Sequence, residues 1–247
     1  MAIMKKKILV YTALFGKNDK LIEPVRILNN IDYICITNNK KLKSDFWKFI
    51  YVKSIYKNKK LNRYYKINYL KFFYNYNYSI YIDSNLFFFA NPNTLIKKYI
   101  SKKYFFALPQ HRYRNTLFQE IETVYKNNLM KKKNILNFKN KILKEDINWL
   151  TENRMIIRNH KSKKLQKLSK KWWKFYTNGI TRDQVSFPYV CEMLNTRPNI
   201  IKSSVGHNNI FFVKPHVNSS RNFKIKYFFL FKILEIIIRK FFLITKN

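Results

Sequence analysis

From Lys7 onward, apolar runs of strand length alternate with stretches of helical period, and this alternation restricts the fold more than any other feature of the chain. KILVYTALF, DYICIT and WKFIYVKS read as strands, LNRYYKINYLKFF as helix, and YSIYIDSNLFFF as strand again. A short helical TLIKKYI follows, then the strand YFFALPQ, the helix NTLFQEIETVYKNN, the strand RMIIRNH and the helix KKLQKLSKKWWKFYTN. Strands rich in Ile, Val, Tyr and Phe, separated by helices, bury both faces of a sheet. The pattern therefore predicts an α/β sandwich with a largely parallel sheet. No internal repeat and no linker interrupts it, and a chain of 247 residues is long enough for one large core without staples.

Composition removes the alternatives. Hydrophobic residues make up 47% of the chain and aromatics 18%, with only 3 Gly and 6 Pro, which excludes a disordered tail, a collagen-like chain and a Gly/Ser array. Cys35 and Cys191 both sit in apolar segments without metal-ligand spacing, so neither a disulfide scaffold nor a zinc ribbon is encoded, and a reducing compartment is expected. The formal charge of +37 arises from 50 basic against 13 acidic residues. Over-use of Lys, Asn, Ile, Tyr and Phe is what AT-rich codon usage produces, so part of that charge is compositional drift. Its field still attracts phosphates. Because carboxylates are scarce, each is worth placing individually as a base or metal ligand.

No apolar run reaches the roughly 18 residues of a membrane-crossing helix. The apolar run after Lys5, Lys6 and Lys7 is short, lacks a small-residue cleavage site and passes straight into KNDK, so it reads as a first buried strand, with a signal peptide as the alternative. Residues 131–146, KKKNILNFKNKILKED, read as either a surface helix or a mobile insertion. We divide the chain into a domain over 1–220 and a basic, aromatic amphipathic helix over 221–247. In that helix Lys232, Glu235 and Arg239 form one stripe, while Tyr227, Phe228, Phe229, Phe231, Phe241 and Phe242 crowd the other faces. We read this shape as an in-plane helix at a membrane surface, with a helix packed on the domain or on a second subunit as the alternative.

Several residues are placed for chemistry. Asp83-Ser84-Asn85 follows the strand YSIYI, where open α/β sheets bind ligands, and side chains at i and i+2 of extended chain point the same way. Their hard oxygens suit Mg or Mn, although an Asx-turn ending the strand has the same pattern. Arg182, Asp183, Gln184 and Ser186 open a helix after the Gly179 turn. There Asp183 either complements the helix dipole or, with Gln184, bonds vicinal sugar hydroxyls while Arg182 meets a phosphate. His111, His160, His207 and His216 lie in or beside loops and form no paired metal motif. No Walker loop, G-x-S-x-G or G-x-G-x-x-G is present, so any nucleotide must be held by side chains and metal.

In order, VYTALFGKNDKLIEP, DYICITN, LNRYYKI, YSIYIDSNLFFFANPNTLI, ALPQHRYRNTLFQE, LTENRMIIRNH, KKWWKFYTNGITRDQVSFPYV and KPH resemble one family over about residues 7–216. It is the glycosyltransferase-like domain first catalogued as a domain of unknown function, shared by bacterial polysaccharide loci and plant Golgi proteins linked to mucilage and turgor. The resemblance implies a GT-A-like (Rossmann-like) three-layer sandwich that moves a sugar from a nucleotide-sugar donor to a cell-surface glycan, lipopolysaccharide or lipid-linked acceptor. On that analogy Thr12, Gly16 and Asp19 lie near the base and ribose, and Arg63 and Lys66 reach the diphosphate. Asp83 and Asn85 stand as the D-x-D-type metal motif for Mn or Mg, with His216 a late ligand. His111, Arg114, Glu120, Glu152, Arg158, His160, Arg182, Asp183, Gln184 and Ser186 match the remaining motifs. Glu120, Glu152 and Asp183 are all candidate bases, and no spacing selects one. Asn85 replaces a second acid, Asn91 replaces the Asp usual before Pro92, and Asn18 stands where Tyr is favoured.

The expected setting is the cytoplasmic face of a membrane, with peripheral attachment. Two other classes compete with this reading. A basic nucleic-acid-binding module would use the charge and interleaved aromatics, but the lysines are spread over the whole chain and no RRM, KH or helix-turn-helix pattern appears, so no nucleic acid is expected. A metal-dependent hydrolase would use Asp83, Glu120 or Glu152 and the histidines.

Overall fold

A computed structural model describes residues 7–16, 19–25, 27–142, 147–202, 210–214, 233–234 and 236–238. Its centre is a seven-stranded sheet built from β1 (Ile8–Leu14), β2 (Ile31–Thr37), β3 (Lys48–Tyr51), β4 (Tyr78–Ile82), β6 (Phe106–Pro109), β7 (Met155–Asn159) and β8 (Asn199–Ile201). The spatial order is β3-β2-β1-β4-β7-β6-β8, and β5 (Leu86–Phe88) pairs with β9 (Phe211–Val213) in a separate antiparallel ribbon. The sheet is mixed: β7 runs antiparallel to both β4 and β6, while every other pairing in it is parallel.

Each central strand feeds two cores. In β1, Leu9, Tyr11 and Ala13 enter one cluster and Ile8, Val10 and Leu14 the other, as the two-residue period of a strand requires. The first cluster lies under α1 (Asn58–Ile67), α2 (Leu70–Phe73), α4 (Leu117–Lys126), α5 (Lys132–Ile142), α6 (Lys163–Thr177) and α7 (Asp183–Met193). The second lies under α3 (Pro92–Tyr99) and the β5–β9 ribbon. Three layers result, as expected of a GT-A-like α/β domain.

The helix starts follow local chemistry. Thr116 and Gln119 close a reciprocal capping box on α4, and Ser162 caps α6. At α3, the Asn91 side chain accepts from the Asn93 N–H at 2.9 Å with Pro92 in the first turn. Asn caps as well as Asp, so the departure at position 91 keeps its structural job. Within segment 131–146, Lys132–Ile142 form a helix that turns Ile135, Phe138 and Ile142 inward at spacings of three and four, and residues 143–146 lie outside the described residues. LNRYYKINYLKFF divides at Asn68 into α1 and α2 instead of forming one helix. Cys35 and Cys191 are buried free thiols. Of segment 221–247 only Ile233, Leu234 and residues 236–238 are described; they are helical, with Ile233, Ile236 and Ile237 exposed. Its charge stripe and aromatics lie outside the described residues.

His160 is a structural residue of the core. Its Nδ1 meets the Phe73 carbonyl at 3.0 Å and its Nε2 meets Ser79 Oγ at 2.8 Å. Burial, reinforced by the Arg158 charge, pushes the imidazole down to about 4. The native state thus refuses a proton that the unfolded chain takes up near pH 6.5. The contribution is complete above that pH and is lost as pH falls towards 4, at up to about 1.4 kcal/mol per pH unit for one group. Urea titrations between pH 7 and 5 should show stability falling with pH, and His160→Gln should flatten the slope by close to one proton. An unchanged slope in the variant would refute the assignment.

Candidate active site

The strand order locates the site. From β1 the chain moves to β2 and β3 on one side, then returns to place β4 on the other, so the order reverses between β1 and β4. Ligands bind beyond the carboxyl ends of strands at such a switch point. A cleft of about 240 Å³ opens there, lined by Phe15, Gly16 and Asp19 after β1, Asp83, Ser84 and Asn85 after β4, and Asn58, Lys59, Asn62 and Arg63 of α1.

The α1 residues share one helical face, since 58, 62 and 66 recur at four, as do 59 and 63. Both ends of this stripe are tied to β1. Asn62 Nδ2 donates to the Ala13 carbonyl, and its Oδ1 accepts from Arg63. At the other end, Arg158 donates to Tyr11 Oη at 2.8 Å and to the Lys66 carbonyl at 2.8 Å. A guanidinium on the last carbonyls of a helix satisfies orphan acceptors and complements the dipole. Arg158 is buried and touches the stripe at the Lys66 carbonyl. Gly16 has φ +82°, and a Cβ there would stand 2.8 Å from Asn58 Nδ2, so a glycine keeps this corner open.

Beneath the cleft lies a buried ion network. Asp183 Oδ2 accepts from Lys66 Nζ at 3.0 Å and meets Arg63 Nε at 3.1 Å, with the Lys66 and Asp183 side chains 1% and 5% exposed. Burial alone would raise the Asp183 carboxyl, but Arg63, Lys66 and Arg182 outweigh it and hold the group well below the usual carboxylate range. Burial pulls Lys66 down from its ordinary value against the opposing pull of Asp183 and Asp83. Lys59 is lowered by burial and by its neighbours Arg63 and Arg182. Asp83 Oδ1 accepts from Tyr81 Oη at 2.8 Å and lies 3.7 Å from Lys66.

Next to the cleft stands a second cluster. Glu120 is fully buried between Arg114, whose Nε lies 2.6 Å from Oε2, and Arg182, whose Nε lies 3.3 Å from Oε1. Glu152 pairs with Arg154 at 2.8 Å. His111 Nδ1 accepts from the backbone N–H groups of Tyr113 and Arg114, which shapes the loop after β6.

The structure thus brings Gly16, Asp19, Arg63, Asp83 and Asn85 to one cleft, with Lys66 and Asp183 as its floor. His111, Arg114, Glu120, Glu152 and Arg182 gather beside it. Gln184 is half-buried in the first turn of α7. Ser186 is buried and bonds Trp172 Nε1 and the Arg182 carbonyl. Thr12 is buried within β1, away from the cleft lining, and its Oγ1 has no hydrogen-bond partner among the described residues. His216 lies outside the described residues. Asn58, Lys59, Asn62 and Arg154 were not singled out by sequence; the four-residue spacing through Arg63 and Lys66 carries the signal for the first three.

The residues of the cleft that could hold a cation are Asp83 and Asn85. The Lys214 carbonyl can only accept, so the Asn85 atom 2.9 Å from it is Nδ2, and Oδ1 is what the amide offers the cleft. Two hard oxygens with Asp19 nearby suit Mg or Mn, ions that keep water and phosphate as their other ligands. No group of three His, Cys, Asp or Glu forms a closed cage among the described residues.

A family model described as TOD1/MUCI70, glycosyltransferase-like domain, matches residues 30–214. The chain belongs to this family. The TOD1/MUCI70 match takes in the α1 stripe, Asp83 to Asn85, the His111 loop and the start of α7, while β1 and its Gly16–Asp19 loop precede it. Among solved structures, the chain is similar to the apo structure of the WbbM bifunctional glycosyltransferase, at 8% identity over 82% of this chain and 39% of that one, with a TM-score of 0.48. It therefore spans well under half the length of that protein. No curated protein matches.

Proposed function

We propose that this TOD1/MUCI70-family domain is a glycosyltransferase that binds a nucleotide-diphospho-sugar in the β1/β4 cleft and passes the sugar to a glycan or lipid-linked acceptor. The observation that carries the reading is one cleft in which cations on α1 face the Asp83–Asn85 pair at the switch point. When the sugar bond breaks, negative charge develops on the departing diphosphate, and preoriented cations stabilise it most where water is excluded. Arg63 and Lys59 supply that charge from α1. Asp183 holds Arg63 in place, and Asn62 fixes the direction of its guanidinium. Asp83 and Asn85 would hold Mg or Mn, which would neutralise diphosphate oxygens when bound. The candidate bases Glu120, Glu152 and Asp183 all sit in arginine ion pairs. This environment suits organising cations better than removing a proton, so we assign Asp183 and Glu120 to positioning.

Attachment to a membrane surface through residues 221–247 belongs to the same proposal and is supported by the exposed Ile233, Ile236 and Ile237. No helix of the described residues is long and apolar enough to cross a membrane.

A thermal-shift screen against UDP-, GDP-, ADP- and CMP-linked sugars, with and without Mn, tests the reading. A ligand at about 100 times its Kd stabilises by roughly 2.7 kcal/mol, a shift of roughly 5–10 °C. One nucleotide class should stabilise the protein with Mn, and Asp83→Ala should abolish the Mn dependence while leaving the ligand-free melting temperature within about 2 °C. A protein indifferent to every donor would defeat the proposal.

A further inference from the structure

The strand order also fixes what stands beside the cleft. β7 lies between β4 and β6 and is antiparallel to both, so its start and the ends of β4 and β6 meet on one edge of the sheet. Backbone bonds seal that edge: the Asp83 N–H donates to the Arg154 carbonyl at 2.8 Å, Glu152 N–H to Pro109 at 2.8 Å, and His111 N–H to Leu150 at 2.9 Å. The second cluster therefore lies about two strand spacings, roughly 10 Å, along the same edge from the cleft.

Three arginines from three different segments converge there on two carboxylates. Each presents its Nε to a glutamate: Arg114 and Arg182 to Glu120, and Arg154 to Glu152. The Glu120 and Glu152 side chains are 0% and 9% exposed, whereas Arg114, Arg182 and Arg154 are 22%, 27% and 31% exposed. The acids thus form a buried backing, and the arginines are the more exposed partners of each pair. A guanidinium has five N–H donors; Arg154 and Arg182 each use Nε on a glutamate and keep the fork that recognises oxyanions in pairs, while Arg114 also places a terminal nitrogen 3.0 Å from His111 Nε2 and keeps its remaining donors. Three cations against two carboxylates leave a net positive charge. Burial, reinforced by the same three charges, pushes the enclosed His111 down to about 4, which keeps it neutral. Arg182 also acts on Lys59 and Asp183, so it joins this cluster to the cleft.

We propose that Arg114, Arg154 and Arg182 bind an oxyanion of the acceptor, a phosphate or a carboxylate, beside the donor cleft. The acceptor assignment rests on the glycosyl-transfer reading of that cleft, whose own diphosphate cations are Arg63 and Lys59. The oxyanion site itself does not depend on that reading.

Inorganic phosphate is the probe, with binding measured by thermal shift and calorimetry in the full chain. In Arg63→Gln, which weakens the cleft, phosphate should still stabilise the protein. Adding Arg154→Gln, or separately Arg114→Gln, should weaken that remaining binding about tenfold or more. Each comparison is made against the variant's own ligand-free melting temperature, so a loss of stability is not read as a loss of binding. Phosphate binding abolished by Arg63→Gln alone, or unchanged in both double variants, would overturn the proposal. Methyl phosphate, a methyl uronoside and a neutral methyl glycoside then distinguish the sources of the anion. The stronger of the first two names the acceptor's charged group, and equal stabilisation by the neutral glycoside refutes an oxyanion site. Nucleotide sugars that fail to bind while the arginine-dependent phosphate site persists would remove the transferase reading and leave the oxyanion site standing.

Discussion

Asp183→Ala is expected to destabilise the domain by about 3–5 kcal/mol, the cost of leaving a buried charge without its partner. Lys66 is 1% exposed, and Asp183 is its nearest carboxylate at 3.0 Å, against 3.7 Å to Asp83. The variant leaves the buried ammonium with only the more distant Asp83 and releases Arg63 as well. A second variant separates pair energy from the cost of a stranded partner. Asp183→Leu combined with Lys66→Met removes both charges and should recover most of the loss, because well-packed apolar replacements of buried ion pairs are often neutral. Urea denaturation of wild type, Asp183→Leu, Lys66→Met and the double variant completes the cycle. A single variant within 1 kcal/mol of wild type would contradict the buried network.

Arg63→Gln is expected to lower kcat by about 100- to 1000-fold, the usual effect of removing one preorganised donor from developing negative charge. The side chain is aimed by two neighbours, Asp183 on Nε and Asn62 on a terminal nitrogen, so little reorganisation is needed as the bond breaks. Lysine should rescue poorly, because a point charge cannot satisfy both partners in that planar geometry. Steady-state kinetics with the donor identified by the thermal-shift screen decide the matter. A rise in KM with kcat unchanged would mean that Arg63 binds the ground state and transition state equally.

The parts of this architecture that sequence revealed are those coded locally. The runs ILVYTAL, IDYICIT, YSIYI and MIIRN announce strands because they are buried on both faces. The three-residue strands Asn199–Ile201 and Phe211–Val213 carry too little pattern to stand out, and each is defined by a distant partner. The direction of β7 was also hidden, since the strand looks the same whichever way it runs. In the site, Asp83 and Asn85 were legible as an i, i+2 pair at a strand end. The Lys66–Asp183 contact joins residues 117 apart, and no spacing rule reaches that far. Nor could sequence show that each candidate base faces arginine, which changes what its carboxylate can do.

The pairing of Asn85 with Lys214 gives the site a history during synthesis. The Asn85 side chain donates to the Lys214 carbonyl, the Lys214 N–H donates to the Asn85 carbonyl, and β5 beside it pairs with β9. These partners are separated by 129 residues. At about 5–20 residues per second, translation delivers Lys214 roughly 6–26 s after Asn85. During that interval the growing chain already carries Asp83 and the α1 stripe but lacks the strand that fixes one wall of the cleft. The cleft is therefore completed late on the ribosome, and a nascent chain stalled before residue 210 has most of the sheet but lacks the partner of Asn85 and β5.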